Sequence, residues 1–169
     1  MPDTQSLDPT ILVIFGITGD LSQRYLLPAL YHLTKDGLLD EQTVILGVTR
    51  GDTTTEQLFE KVELCVNEVD KVCDPVALKA MHKRTEMFKM DLDNADDYAK
   101  LLEKLNSIEE TKGVCMNRLY YLSIPPKAYG PVVGLLGEKG LNGSCQHGKA
   151  ATRLLVEKPF GYDLESAQQ

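Results

Sequence analysis

A run of five apolar residues, Ile11 to Phe15, leads directly into the turn Gly16-Ile17-Thr18-Gly19. An apolar stretch rich in β-branched residues and stopped by glycine is typical of a strand that is buried on both faces. Gly16 and Gly19 can adopt backbone conformations closed to other residues, which lets a ligand approach the main chain. A helix that opens at the turn points unpaired N–H groups toward it, where a phosphate would be stabilised. The stretch therefore predicts the first strand, turn and helix of a dinucleotide-binding fold.

The turn departs from the strict pattern G-x-G-x-x-G. Thr18 stands where the second glycine of that pattern belongs, and Leu21 stands where the third belongs. A Gly-x-x-Gly after a strand is also common in turns that bind nothing. Phosphate binding at this turn therefore depends on support from elsewhere in the chain.

Length and charge favour an ordinary globular domain. A chain of 169 residues is long enough to bury roughly 70% of its unfolded surface in one domain. Lys and Arg together number 18 and Asp and Glu 25, which gives a net charge of −7 without long blocks of like charge. This balance argues against a nucleic-acid partner or an anionic membrane partner. Any anion site must therefore be built locally.

Cysteine usage and the N-terminus favour a cytoplasmic protein. Cys65, Cys73, Cys115 and Cys145 form no Cys-x-x-Cys pair and no cluster with the three histidines, so they predict neither a metal site nor a disulfide framework. The N-terminus has no basic segment followed by an apolar one, as a secretory signal would. No apolar run approaches the roughly 20 residues needed to cross a bilayer.

Strands and helices alternate along the rest of the chain. The predicted strands are residues 11–15, 43–50, 86–91, 118–124 and 153–157. Helical patterns lie between them, with a kink or restart near Pro28, a capping box at Thr53 and Glu56, and a cap at Asp74-Pro75. We expect a flexible segment at 1–9 and one doubly wound α/β domain with a mainly parallel sheet over 10–169. A further helix capped by Asp163 has only its start in the chain, so we expect a longer protein.

Candidate ligand-binding residues follow from the strand ends. Ligands bind at the carboxyl ends of the strands in an open α/β sheet, which selects Gly16 to Asp20, Arg50, Asp91, Pro125-Pro126 and Lys158. An acidic residue after the second strand would favour NAD, whereas a cation there favours the additional phosphate of NADP. Arg50 is therefore the informative residue, although Asp52 could instead pair with it. Lys158 could donate to an oxygen of a substrate or cofactor, or it could be a strand-end lysine that reaches for water.

The order of these motifs resembles the N-terminal coenzyme domain of the glucose-6-phosphate dehydrogenase family. The resemblance is carried by Gly16-Ile17-Thr18-Gly19-Asp20-Leu21, Arg50, Pro125-Pro126 and Glu157-Lys158-Pro159-Phe160-Gly161. It covers the chain from about Thr10 and implies a Rossmann-like fold. The family oxidises glucose 6-phosphate at its first carbon with NADP as hydride acceptor, and yields a lactone in the oxidative pentose phosphate pathway.

The resemblance also implies roles for individual residues. Gly16, Ile17, Thr18, Gly19, Asp20, Leu21, Ser22 and Gln23 would wrap the cofactor pyrophosphate, and Arg50 would hold the 2′-phosphate. Asp91, Leu92 and Tyr129 would lie along the coenzyme. Lys158 resembles the family's catalytic lysine, which touches both the sugar phosphate and the nicotinamide end, and Pro159 would help to align them.

Two departures from the family matter. Only Arg24 supplies a positive charge directly after Asp20-Leu21-Ser22-Gln23, where relatives often carry more basic residues. The family's general-base histidine and most sugar-phosphate ligands lie beyond the Lys158 strand, as do the subunit contacts of its homo-oligomers. We therefore expect residues 1–169 to bind coenzyme without turnover. Another sugar or aldehyde oxidoreductase, a coenzyme-sensing module and a ligand-free structural domain remain the alternatives.

Overall fold

The computed structural model describes residues 8–70, 72–143 and 150–158, and for 67–70 it describes the backbone alone. The strands are β1 (Thr10–Phe15), β2 (Val44–Thr49), β3 (Thr85–Lys89), β4 (Asn117–Leu122) and β5 (Thr152–Val156). The helices are a π-helical segment (Ser22–Leu26) that continues into α1 (Leu27–Lys35), then α2 (Thr55–Asp70), α3 (Pro75–Lys83), α4 (Ala95–Lys112), and a short 3₁₀ turn (Pro126–Ala128) that continues into α5 (Tyr129–Glu138). Each strand lies within two residues of its predicted bounds.

The strands form one sheet in the order β3-β2-β1-β4-β5, and every neighbouring pair is parallel. The chain therefore extends the sheet in one direction from β1 to β3 and in the other direction from β4 to β5. This order confirms the predicted doubly wound α/β fold. A ligand crevice is expected where the order reverses, at the carboxyl ends of β1 and β4.

The first strand is buried on both faces, as its composition predicts. Ile11, Val13 and Phe15 pack into a core shared with α4 and α5, whereas Leu12 and Ile14 pack into a core shared with α1, α2 and α3. Alternate residues of a strand point to opposite faces, so a continuous apolar run supplies both layers. The glycine turn therefore begins from a rigid central strand.

Local signals located most helix starts correctly. The Asp74 side chain accepts hydrogen bonds from the N–H groups of Val76 and Ala77, and Asn94 caps α4. The capping box at Thr53 and Glu56 is wrong by one residue. Thr54 and Gln57 form the reciprocal side-chain to backbone hydrogen bonds instead. Both pairs match the same Thr-x-x-Glu/Gln pattern, and only the path of the loop decides between them.

The kink predicted near Pro28 is a π-helical segment. The N–H of Leu27 donates to the carbonyl of Ser22, five residues earlier, and Pro28 lies in the first turn of α1. Proline has no N–H to donate to the carbonyl four residues before it, so a regular α-helix cannot pass through this point unchanged. The helix adopts π-helical hydrogen bonding over this segment instead of ending. It therefore stays continuous from the glycine turn into the core.

One cysteine expectation is wrong. Cys115, between α4 and β4, is disulfide-bonded. Cys65 is a free thiol. Spacing along the chain does not report which cysteines a fold brings together, so the sequence could not reveal this bond. The predicted loop at 142–149, His147 and the helix capped by Asp163 fall wholly or largely outside the described residues.

Gly47, in the middle of β2, makes room for the glycine turn. A Cβ atom at this position would lie 2.4 Å from Cδ1 of Ile17 and 3.1 Å from Sδ of Met87. We expect Gly47→Ala to lower the free energy of unfolding by about 1–3 kcal/mol, because the fully buried Ile17 must shift within a packed core. Urea denaturation measures this loss.

Gly134→Ala is the matched control for Gly47→Ala. A Cβ at Gly134, in α5, meets no other atom within 4 Å. Alanine is also favoured over glycine in a helix, by about 1 kcal/mol, so this variant should be as stable as the parent or more so. A Gly47→Ala chain as stable as the Gly134→Ala chain would contradict the close packing of Ile17 on β2.

Candidate functional site

The glycine turn is held between β2 and β4. Gly16 has a φ of 78°, a left-handed conformation that favours glycine. The N–H groups of Gly16 and Ile17 donate to the carbonyl of Val48 at 3.1 and 3.3 Å, and the N–H of Gly19 donates to the carbonyl of Gly16 at 2.9 Å. A Cβ at Gly16 would lie 2.3 Å from the carbonyl oxygen of Ser123. The turn therefore lies directly against the end of β4.

A cavity of about 810 Å³ opens at the carboxyl ends of β1, β2, β3 and β4. Its polar and charged lining residues are Thr18, Thr49, Arg50, Thr53, Asp91, Asp93, Ser123 and Lys127. Apolar residues such as Val48, Ile124 and Pro131 cover other parts of its wall. Small-molecule sites are commonly concave and largely apolar with a few placed polar groups, and this cavity fits that description.

The residues after Gly19 support the turn more than they face the cavity. The Gln23 side chain donates to the carbonyl of Thr18 at 2.8 Å, and the Ser22 side chain is completely buried. The exposed carboxylate of Asp20 pairs with Arg24 at 2.8 Å. The only basic residue near the start of this helix is therefore already paired with a carboxylate.

Arg50 lies at the end of β2, on the cavity wall, and its side chain is exposed. Asp52, the alternative partner that the sequence offered, is instead 2.5 Å from the ammonium of Lys89. Among the residues that the structure describes, Arg50 forms no ion pair. Its guanidinium therefore remains available for a bound anion, and its planar shape suits a phosphate.

The loop after β3 places Asp91 and Leu92 on the cavity wall, and α4 holds it there. The N–H of Asp91 donates to the carboxylate of Asp97 at 2.9 Å, and the Tyr98 hydroxyl donates to the carbonyl of Leu92 at 2.9 Å. Hydrogen bonds from Lys100 and from the N–H of Asp91 hold the pKa of Asp97 below its ordinary value. Burial, with nearby Asp93 and Asp91, raises the pKa of Tyr98 to about 12. At neutral pH, the Asp97 carboxylate is therefore ionised and accepts its hydrogen bond, and the Tyr98 hydroxyl is protonated and donates its own.

Lys158 follows β5 at the edge of the described sheet, and its side chain is exposed and is not on the cavity wall. Two tyrosine hydroxyls hold the preceding residue, Glu157. The Tyr121 hydroxyl donates to the carboxylate of Glu157, and the Tyr129 hydroxyl donates to its carbonyl at 3.3 Å. Burial and the Glu157 carboxylate raise the pKa of Tyr121 to about 12, so it remains a donor. Pro159 lies outside the described residues.

The cavity brings together about half of the predicted site residues. Those on its wall are Gly16, Thr18, Gly19, Arg50, Asp91 and Leu92. Those off the wall are Ile17, Asp20, Leu21, Ser22, Gln23, Tyr129 and Lys158. Ile17 belongs to the core, and Tyr129 binds the Glu157 backbone.

Sequence reasoning missed five polar wall residues: Thr49, Thr53, Asp93, Ser123 and Lys127. A signal for Ser123 was present, because it directly precedes Ile124-Pro125-Pro126, where the prolines end the strand.

Over the described ranges, no three His, Cys, Asp or Glu side chains are grouped so as to hold a metal ion. None of the helices in those ranges combines the length and apolar character that crossing a membrane requires.

The chain matches the family model described as glucose-6-phosphate dehydrogenase, NAD binding domain, over residues 13–169. The glucose-6-phosphate 1-dehydrogenase of Chlamydia pneumoniae is 40% identical over 168 residues, which is 95% of this chain and 32% of that protein. The enzyme of the same name from Aggregatibacter actinomycetemcomitans is 39% identical over 165 residues, which is 93% of this chain and 31% of that protein.

Solved structures give the same result. A glucose-6-phosphate dehydrogenase in complex with its substrate glucose-6-phosphate superposes with a TM-score of 0.82 at 31% identity, over 95% of this chain and 32% of that one. Glucose-6-phosphate 1-dehydrogenase from Mycobacterium avium gives a TM-score of 0.79 at 32% identity, over the same shares of the two chains. The chain therefore spans about a third of the length of these relatives.

Proposed function

We propose a function from the following premise: this chain belongs to the glucose-6-phosphate dehydrogenase family, over the part that the family model describes as its NAD-binding domain. We propose that the cavity binds NADP, and that the complete protein oxidises glucose 6-phosphate to the corresponding lactone. A bound nicotinamide coenzyme would supply the hydride acceptor. The residues of this chain would bind and orient it.

The observation that carries the NADP proposal is the position of Arg50. Its guanidinium lies at the end of β2 on the cavity wall, without an ion-pair partner among the described residues, because Lys89 takes Asp52. An enzyme that prefers NAD would carry an acidic residue at this point, to bind the ribose hydroxyls.

The glycine turn also suits a dinucleotide. A Cβ at Gly16 would collide with the Ser123 carbonyl, so the turn excludes a side chain at this position beside the cavity. A helix follows this turn directly, and the N–H groups at the start of a helix favour a pyrophosphate. We propose that Gly16, Thr18 and Gly19 contact the pyrophosphate and that Asp91 and Leu92 lie along the coenzyme.

Lys158 is proposed as the residue that touches both the sugar phosphate and the nicotinamide end. The support for this role is its place directly after Glu157, which two tyrosine hydroxyls hold at the end of β5. An exposed ammonium at this point could reach a substrate that a further part of the protein also binds.

We propose further that residues 10–169 form the coenzyme domain and that a C-terminal part supplies most substrate ligands and homo-oligomer contacts. Residues 1–169 alone would then not oxidise glucose 6-phosphate.

Titration of this chain by calorimetry with NADP, and separately with NAD, tests the coenzyme proposal. We expect NADP to bind at least tenfold more tightly than NAD, because one charge-assisted contact is worth about 1.5–3 kcal/mol. Equal affinities would contradict the role of Arg50, and binding of neither coenzyme would contradict the proposed function of the cavity. Glucose 6-phosphate oxidation by residues 1–169 alone would contradict the expected lack of turnover.

A further inference from the structure

Two serine hydroxyls meet beneath the glycine turn. Oγ of Ser22 lies 2.8 Å from Oγ of Ser123 and 3.1 Å from the carbonyl oxygen of Gly16. The Ser22 side chain is completely buried, whereas Ser123 lies on the wall of the cavity. The pair therefore connects a buried hydroxyl at the start of the first helix with a half-buried residue of the cavity wall, directly after β4.

The two hydroxyl protons admit two arrangements. Ser22 has one proton and two acceptors in reach, and the Gly16 carbonyl already accepts the N–H of Gly19 at 2.9 Å. In one arrangement, Ser22 donates to Gly16 and Ser123 donates to Ser22. In the other, Ser22 donates to Ser123, and the proton of Ser123 is free to point into the cavity.

We propose that Ser123 donates a hydrogen bond to an oxygen of the bound coenzyme at the pyrophosphate, and that Ser22 is the positioning residue that orients the Ser123 hydroxyl for this donation. The inference rests on the proposed coenzyme function of the cavity. Ser22 cannot reach a ligand through its buried side chain, so it acts through Ser123. When an acceptor oxygen arrives, the pair adopts the arrangement in which Ser22 donates to Ser123.

The sheet order indicates which part of the coenzyme Ser123 meets. β1 lies between β2 and β4, so Arg50 and Ser123 are on opposite sides of the glycine turn. The carbonyl of Ser123 lies 2.3 Å from where a Cβ of Gly16 would be, directly beside the phosphate-binding turn. Ser123 therefore contacts a part that NADP and NAD share, whereas Arg50 faces the part that differs between them.

Calorimetric titration of Ser123→Ala, Ser22→Ala and the double variant with NADP and NAD tests the inference. We expect each single substitution to weaken binding about threefold to tenfold, the range of one neutral hydrogen bond, and by the same factor for both coenzymes. The double variant should bind no more weakly than Ser123→Ala, because Ser22 acts only through Ser123.

Thr85→Val is the matched control. Thr85 is also a buried hydroxyl, it donates to the carbonyl of Met81 at 2.8 Å, and it is not on the cavity wall. This variant loses a buried hydrogen bond and should bind both coenzymes as the parent does. Thermal unfolding of every variant separates a loss of stability from a loss of affinity.

Three results would overturn the inference while the parent chain still binds coenzyme. They are unchanged affinity in Ser123→Ala, a loss confined to NADP, and a double variant whose loss is the product of the two single losses. A parent chain that binds neither NADP nor NAD would overturn the proposed function and this inference together. The two failures are thus distinguished by the parent titration alone.

Discussion

Replacing Gly16 with alanine is expected to weaken NADP binding at least a hundredfold and to destabilise the fold. Gly16 has a φ of 78°, and a left-handed conformation costs a non-glycine residue roughly 1–2 kcal/mol. The added Cβ would also lie 2.3 Å from the carbonyl oxygen of Ser123, a backbone atom. Relief of that contact requires the turn to move away from β4, and the part of the cavity wall that Gly16, Thr18 and Gly19 form moves with it. Calorimetry and urea denaturation measure the two losses.

Gly37→Ala is the control that separates backbone strain from the clash. Gly37 follows α1 with a φ of 68°, and a Cβ there meets nothing within 4 Å. This variant should lose about 1 kcal/mol of unfolding free energy and bind NADP as the parent does. A Gly16→Ala chain that binds NADP within threefold of the parent would show that the turn is not the coenzyme site.

Replacing Arg50 with alanine is expected to weaken NADP binding about tenfold to a hundredfold and to leave NAD binding unchanged. The guanidinium has no ion-pair partner among the described residues, so its removal breaks no internal contact of that kind and should not affect stability. The loss corresponds to one charge-assisted contact with the 2′-phosphate. Parallel titrations with the two coenzymes measure the difference.

Arg24→Ala is the matched control for Arg50→Ala. It removes the same charge from an exposed arginine that already pairs with Asp20 and does not line the cavity. It should change the affinities for NADP and NAD by the same small factor, since an exposed ion pair is worth about 0–1 kcal/mol. Equal losses of NADP and NAD affinity in Arg50→Ala would contradict the assignment of Arg50 to the 2′-phosphate.

The sequence determined the elements and their order. The apolar run of β1 is buried on both faces, and Pro125-Pro126 ends the β4 segment, because strand periodicity and proline chemistry act over a few residues. Parallel strands with helical crossovers then bring the strand ends to one edge of the sheet. The location of Arg50 and Asp91 at that edge therefore follows from the sequence by itself.

Only the tertiary structure decided how the side chains at that edge are partnered. The side chain of Ser22 is buried against Ser123, which is 101 residues away in the chain. Asp52 is two residues from Arg50, yet it pairs with Lys89 on the neighbouring strand. Hydrogen bonds and ion pairs depend on distances of a few ångströms between residues far apart in sequence, and local patterns carry no record of those distances.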